Sequence, residues 1–297
     1  MKNTITRRRR RDRRYRSSLY SIRFLEDIRD FPYAPKVLSE GDSWFGYPFG
    51  KDLNDHIAEL GSFNIRHFEK AGDELVDDMM HNRQIKLLTK ALTEDQFQLL
   101  LYSGGGNDVV ADNLKHYISD KENGIGPLNR VIQNTTFARI EELKSKFIDL
   151  IELVEKHQDN CPIIVNGYSP ITPSDKGFEI LGFKVLGPWV KPTLDEKGVP
   201  AKYQAELINF IMDLFNQMLL TLSQQYPSFH YIDLRKQKLN KRDWANEIHP
   251  TSSGFKKLSK HYEVSLNNLF LVVFCRKLTL IAKPLSNEPQ IGLSENH

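Results

Sequence analysis

The sequence predicts an α/β fold, a parallel sheet with helices on both faces, and three observations carry that reading. Short apolar runs suited to strands alternate along the chain with longer stretches of helical period. Two of those stretches hold long apolar stripes. The residues able to do chemistry fall just after strand-like runs, which is where such sheets bind ligands.

In chain order, Leu19, Ile22, Phe24, Leu25 and Ile28 predict a short amphipathic helix that ends before Pro32, because a proline steers the residue ahead of it out of the helical region. Strands are expected at 36–40, 64–68, 96–102, 163–167 and 229–234, and helices at 52–60, 74–92, 137–157 and 204–225. In the third helix Phe137, Ile140, Leu143, Phe147, Leu150, Ile151 and Val154 recur every three or four residues, so one face should meet the core. The fourth repeats this with Leu207, Ile208, Ile211, Phe215, Met218, Leu219 and Leu222. The stretch 169–203 contains Pro170, Pro173, Pro188, Pro192 and Pro200 and several glycines. It is too long and irregular for a plain connection and reads as a lid-like insertion at the ligand end of the sheet. The organisation expected is an unstructured Arg-rich arm at 1–17, one main domain at 18–263 and a helical appendage with a tail at 264–297.

At 297 residues with 40% hydrophobic and 27% charged side chains, the chain has the composition of a globular protein. Cys161 and Cys275 make neither a disulfide framework nor a metal-ligand spacing, so no metal or other cofactor is implied and a reducing compartment is expected. The overall charge of +3 is uneven: residues 1–16 carry nine basic side chains against Asp12, a net +8, which leaves −5 on the rest. Where an apolar signal core would have to follow the arginines, the sequence runs Ser17-Ser18-Leu19-Tyr20-Ser21. The most apolar segment, 266–282, is broken by Asn267, Asn268, Arg276 and Lys277, which argues against a membrane span. A cytoplasmic protein is expected, with peripheral association to anionic lipid or nucleic acid through residues 7–16 as the partner that the arginines suggest.

Four elements carry chemistry. Gly41-Asp42-Ser43-Trp44 follows the first strand and presents a hydroxyl over the strand ends. Gly72 follows the second strand and can offer a backbone amide. Gly104-Gly105-Gly106-Asn107-Asp108 follows the third, with glycines that admit a ligand and an amide side chain suited to a developing oxyanion. No Gly-Lys-Ser/Thr follows, which excludes a nucleotide-binding P-loop. Near the end, Asn246-Glu247-Ile248-His249-Pro250-Thr251 sets a histidine on a loop ahead of a helix.

Together, and in this order, these residues resemble the four motif blocks of the SGNH (GDSL-type) serine hydrolases over about residues 36–262. The resemblance implies a three-layer α/β/α fold with a five-stranded parallel, flavodoxin-like sheet. It implies an esterase in which Ser43 attacks a carboxylic ester and His249 is the base. The oxyanion would be held by the Ser43 and Gly72 amides and the Asn107 side chain. The chain departs from the pattern in one place: the acid expected three residues before the histidine is Asn246. Asn246 can orient the imidazole without adding charge, and Asp243, Glu247 or a backbone carbonyl are the alternatives. The rival function is a basic-arm protein that binds nucleic acid or anionic membrane and carries a slow or degenerate SGNH site. Trp44, Phe178, Phe183 and Trp189 offer apolar surface for a substrate whose acyl and alcohol parts stay open.

Overall fold

The computed structural model describes residues 18–61, 63–120, 126–180 and 183–281, without the side chains of 18–23, 82, 127, 179–185 and 270–281. The arginine arm and the tail after Ile281 lie outside the described residues, as does the Phe183 side chain. Helix α1 (Ser18–Asp30) leads to strand β1 (Lys36–Gly41), followed by α2 (Leu53–Ala58) and β2 (Asn64–His67). Helix α3 (Asn82–Glu94) precedes β3 (Leu99–Ser103), and α4 (Gln133–His157) precedes β4 (Ile163–Asn166). A two-stranded hairpin, β5 (Phe178–Ile180) and β6 (Phe183–Leu186), comes before α5 (Lys191–Glu196) and α6 (Ala201–Gln225). Strand β7 (Phe229–Ile232) and α7 (Ser252–Ile281) complete the order.

Five parallel strands form one sheet in the order β2-β1-β3-β4-β7. Chain order reverses between β1 and β3. Right-handed crossovers then send the helix after β1 to one face and the later ones to the other, and the packing agrees: α3, α4 and α6 lie together, while α2 packs against α7. The crevice at such a reversal is where open α/β sheets bind ligands, and both the Ser43 and the Asn107 loops open from it.

The core explains why the two long helices form. Their stripes bury Leu143, Phe147, Leu150 and Ile151 of α4 and Leu207, Ile211, Phe215 and Leu219 of α6 against the sheet. Phe147 meets Phe229 and Tyr102 edge-on at 5.8 and 6.1 Å and lies 6.4 Å from Phe215. Truncating such a ring to alanine costs about 3–5 kcal/mol. Cys161 is buried at the foot of β4, and burial pushes its thiol up to about 12, beyond ready ionisation.

Three expectations need correction. Phe137 is 45% exposed and does not belong to the buried stripe, because α4 begins at Gln133 and its first core residue is Thr136. The helix expected at 74–92 is two pieces, a π-helical turn at Leu75–Met79 and α3, separated by an extended His81. The turn is held by Asp108, which accepts from the Leu75 and Val76 amides. Leu25, expected on an apolar face, is exposed, while Phe24 stacks on Phe97.

Candidate active site

Beyond β1 the chain reverses around Asp42. The Asp42 amide donates to Ser103 O at the end of β3 (2.8 Å), and the Phe45 and Gly46 amides return to Asp42 O at 3.2 and 2.8 Å. The Asp42 carboxylate accepts from the Trp44 amide (2.9 Å), Ser103 Oγ (3.1 Å) and the Tyr168 hydroxyl. Burial pushes its pKa up to about 6 against the pull of these donors. Asp42 is therefore the post of the turn that presents Ser43.

His249 sits on an equally constrained loop. Thr251 N donates to Asp243 O (2.7 Å), Ala245 N to His249 O (2.9 Å), and Trp244 bridges Pro250 antiparallel. Asn246 Oδ1 accepts from the Ile248 amide (3.1 Å) and the His249 amide (2.9 Å) and lies 3.0 Å from the ring Nδ1. Two backbone N–H groups can converge only on an acceptor, so the amide orientation is fixed and Nδ1 carries the proton. That leaves Nε2 as an acceptor, and it lies 2.7 Å from Ser43 Oγ. The ring is enclosed by Tyr47 (4.9 Å between centroids) and the edge-on indole of Trp189 (5.2 Å). Burial pushes the imidazole pKa down to about 3.

Neither carboxylate that sequence spacing left open reaches the histidine. Asp243 is taken by Lys257 Nζ (2.7 Å to each oxygen) and by the Asn240 amide, and these partners hold its pKa below the usual carboxylate range. Glu247, one residue past Asn246, is buried facing away, into the 169–203 insertion, where its oxygens accept backbone amides.

Asn107 follows β3 through Gly106, where a Cβ would stand 2.6 Å from the Tyr168 ring; only glycine allows that approach. Asn107 Nδ2 donates one hydrogen to Asp73 O (2.9 Å), which leaves its second for a ligand. Asp108, tied to Arg139 Nη2 (3.0 Å) and to the Leu75 and Val76 amides, fastens this loop to the one after β2. Gly72 on that neighbouring loop has a φ of +89° with open space where a Cβ would be, so backbone twist rather than crowding selects glycine there. Ser43 and Asn107 line one small cavity. Its apolar walls are Trp44, Val110, Tyr168, Ile171, Met212 and Ile248, and Gly72 stands outside them.

The structure thus brings Ser43, His249 and Asn246 into direct contact and sets Asn107 on the same cavity, with Gly72 linked to it through Asp73. Sequence reading missed Tyr47 and the Tyr168–Asp42 pair, for which no spacing signal exists. It placed Met212 nowhere, although that residue lies on the α6 stripe. Among the described residues no group of three or more His, Cys, Asp or Glu side chains is placed to hold a metal ion.

No family model matches the chain, and no curated protein matches it. Solved structures do. A lipase from a goat rumen metagenome is similar with a TM-score of 0.51 at 14% identity, covering 78% of this chain and 97% of its own. A family 3 carbohydrate esterase from Clostridium thermocellum is similar at 0.49 and 12%, covering 80% and 98%. A member of the lipolytic G-D-S-L family from Veillonella parvula is similar at 0.46 and 13%, covering 76% and 94%. The fold of this chain, a five-stranded parallel sheet with helices on both faces, is like that of the goat rumen lipase.

Proposed function

We propose that this protein is a serine ester hydrolase acting on a carboxylic ester with a short acyl group. The observation that carries the reading is the continuous relay from Ser43 Oγ to His249 Nε2 (2.7 Å) and from His249 Nδ1 to Asn246 Oδ1 (3.0 Å). Ser43 Oγ attacks the carbonyl carbon and its proton passes to Nε2. The negative charge on the former carbonyl oxygen falls to the Ser43 amide and the free hydrogen of Asn107 Nδ2, while Gly72, outside the cavity walls, shapes the neighbouring loop. Collapse expels the alcohol, which takes the proton from Nε2 and leaves Ser43 acylated. Water then attacks the acyl-enzyme, giving its proton to Nε2, and the acid leaves as that proton returns to Oγ. The cavity beside Ser43 is small and walled by Trp44, Val110, Tyr168, Ile171, Met212 and Ile248, which supports a short acyl chain.

The test is a panel of nitrophenyl esters from acetyl to palmitoyl, run on wild type and Ser43→Ala. Turnover should fall by about a millionfold in the variant with an unchanged melting temperature. Wild-type rates in a folded Ser43→Ala protein would remove Ser43 from the mechanism.

A second reading rests on the arginine arm. Its net +8 against a body of −5 supports binding of an anionic partner, and the proposal is a lipid surface that carries the ester. Among the described residues no helix is long and apolar enough to cross a membrane.

A further inference from the structure

Three features outside the relay are candidates for a role of their own. His56 lies 3.2 Å from both Ser252 Oγ and Glu59 Oε2, an arrangement like a second triad, yet it joins α2 to the start of α7 and is used there as a brace. The buried Glu40 is occupied by Gln84 and the Gly41 amide. Glu247 is different, because its partners belong to a separate part of the chain that reaches the base.

We propose that Glu247 is a positioning residue that clamps the 169–203 insertion onto the His249 loop and so keeps the base dry. The proposal rests on the reading of His249 as the base. Glu247 is 2% exposed. Its Oε1 accepts from the amides of Ser174 (3.0 Å) and Lys191 (2.8 Å), and its Oε2 from those of Trp189 and Val190 (2.7 Å each). One carboxylate therefore holds the chain on both sides of the β5–β6 hairpin, at Ser174 before it and at 189–191 after it. Its own amide adds a bond to Lys176 O (3.2 Å). Among the described residues no side-chain cation shares in this: Lys191 Nζ turns away to Asp175 (3.3 Å) and Asp195.

The clamp has a direct consequence for the base. The amide donors on Oε2 belong to Trp189 and Val190, and the Trp189 indole stands edge-on against the His249 ring. The other groups on that ring are the Ser43 hydroxyl, the Tyr47 ring and the Asn246 amide. Asp42 lines the same cavity with its carboxylate held by Tyr168, Ser103 and the Trp44 amide. With no counter-charge on the imidazole, exclusion of water is what sets its basicity, and Trp189 is the wall that Glu247 fixes. The insertion is pinned independently at its stem by Asn209, which exchanges two bonds with Ile171 (2.7 and 2.8 Å). Release of the clamp should therefore move the 174–191 segment without detaching the whole insertion.

The test is Glu247→Gln, with Trp189→Ala as a second variant. Glutamine keeps the volume and one acceptor but turns an NH₂ group onto two backbone N–H donors, which breaks half of the clamp. The readout is the NMR titration of the His249 ring, with the acid limb of kcat/KM beside it. In both variants the ring should titrate at least about one pH unit higher as water reaches it, and the acid limb should move equally. If Glu247→Gln does not fold, Trp189→Ala alone decides. An unchanged His249 titration in a folded variant, with only a lower melting temperature, would reduce Glu247 to a structural brace and overturn the proposal. A shifted titration in a protein that turns over no ester would leave the clamp standing and sink the esterase reading instead.

Discussion

With Asn246 Oδ1 on its Nδ1 proton and the ring 5% exposed, His249 is held in the tautomer that a serine nucleophile needs. The amide supplies orientation and omits charge. Because burial depresses the imidazole pKa to about 3, His249 stays neutral well below the usual imidazole range, and the proposed hydrolysis should be lost only as pH falls through that depressed value. The kcat/KM profile on a soluble acetyl ester should stay flat from pH 8 to about pH 5, where an unperturbed histidine of pKa about 6.5 would already be protonated. Loss of rate centred near 6.5 would mean a solvated ring. The same depression makes imidazolium hard to form in the transition state, so the wild type should be slow. Asn246→Asp retains the acceptor for both backbone amides and places a carboxylate on Nδ1. Turnover should rise about tenfold, equivalent to ~1.4 kcal/mol, and the acid limb should move up by roughly one to three pH units. A slower Asn246→Asp enzyme would show that the amide does more than orient.

At the scale of elements, α6 has two jobs on one stripe. Leu207, Ile211 and Phe215 bury it in the core, while Met212 reaches the cavity that opens beside Ser43. That wall of the cavity is thus part of the helix–sheet core and cannot move like a loop. Met212→Ala should extend the cavity toward α6 and raise the ratio of hexanoyl to acetyl kcat/KM by at least about tenfold, since a buried methylene is worth roughly 1–3 kcal/mol in discrimination. An unchanged ratio would mean that the acyl chain leaves the site in another direction. The loops after β2 and β3 behave as one piece, because Asp108 binds the Leu75 and Val76 amides and Asn107 binds Asp73 O.

For the whole molecule, the charge division between arm and body sets the expectation. Deleting residues 1–17 should leave turnover of a small soluble ester within about twofold, because the four sequence motifs of the candidate site all begin after residue 40. Retention on anionic phosphatidylserine vesicles should drop sharply, and the wild type should lose it steeply between about 50 and 200 mM salt. Equal retention by the truncated protein would dismiss the lipid role; retention on RNA but not on vesicles would redirect it.

Sequence by itself determined the strand–helix alternation of a parallel α/β sheet and the two core stripes, and it singled out Ser43, Asn107 and His249. Those features are written in local periodicity and in motifs that sit a few residues past a strand, and the register of a parallel sheet carries them to one edge. The ends of elements were less legible: Phe137 fits the stripe by spacing yet faces solvent, and the 74–92 helix breaks at His81 because Asp108, thirty residues on, captures its first amides. Only the tertiary structure decided among Asn246, Asp243 and Glu247. Each lies within six residues of His249, and spacing ranks none of them. Lys257 claims Asp243 and four amides of the distant insertion claim Glu247, so Asn246 alone is left facing the ring. Partners so far off in the chain leave no local trace, and competition among them for each polar group is settled only when the fold closes.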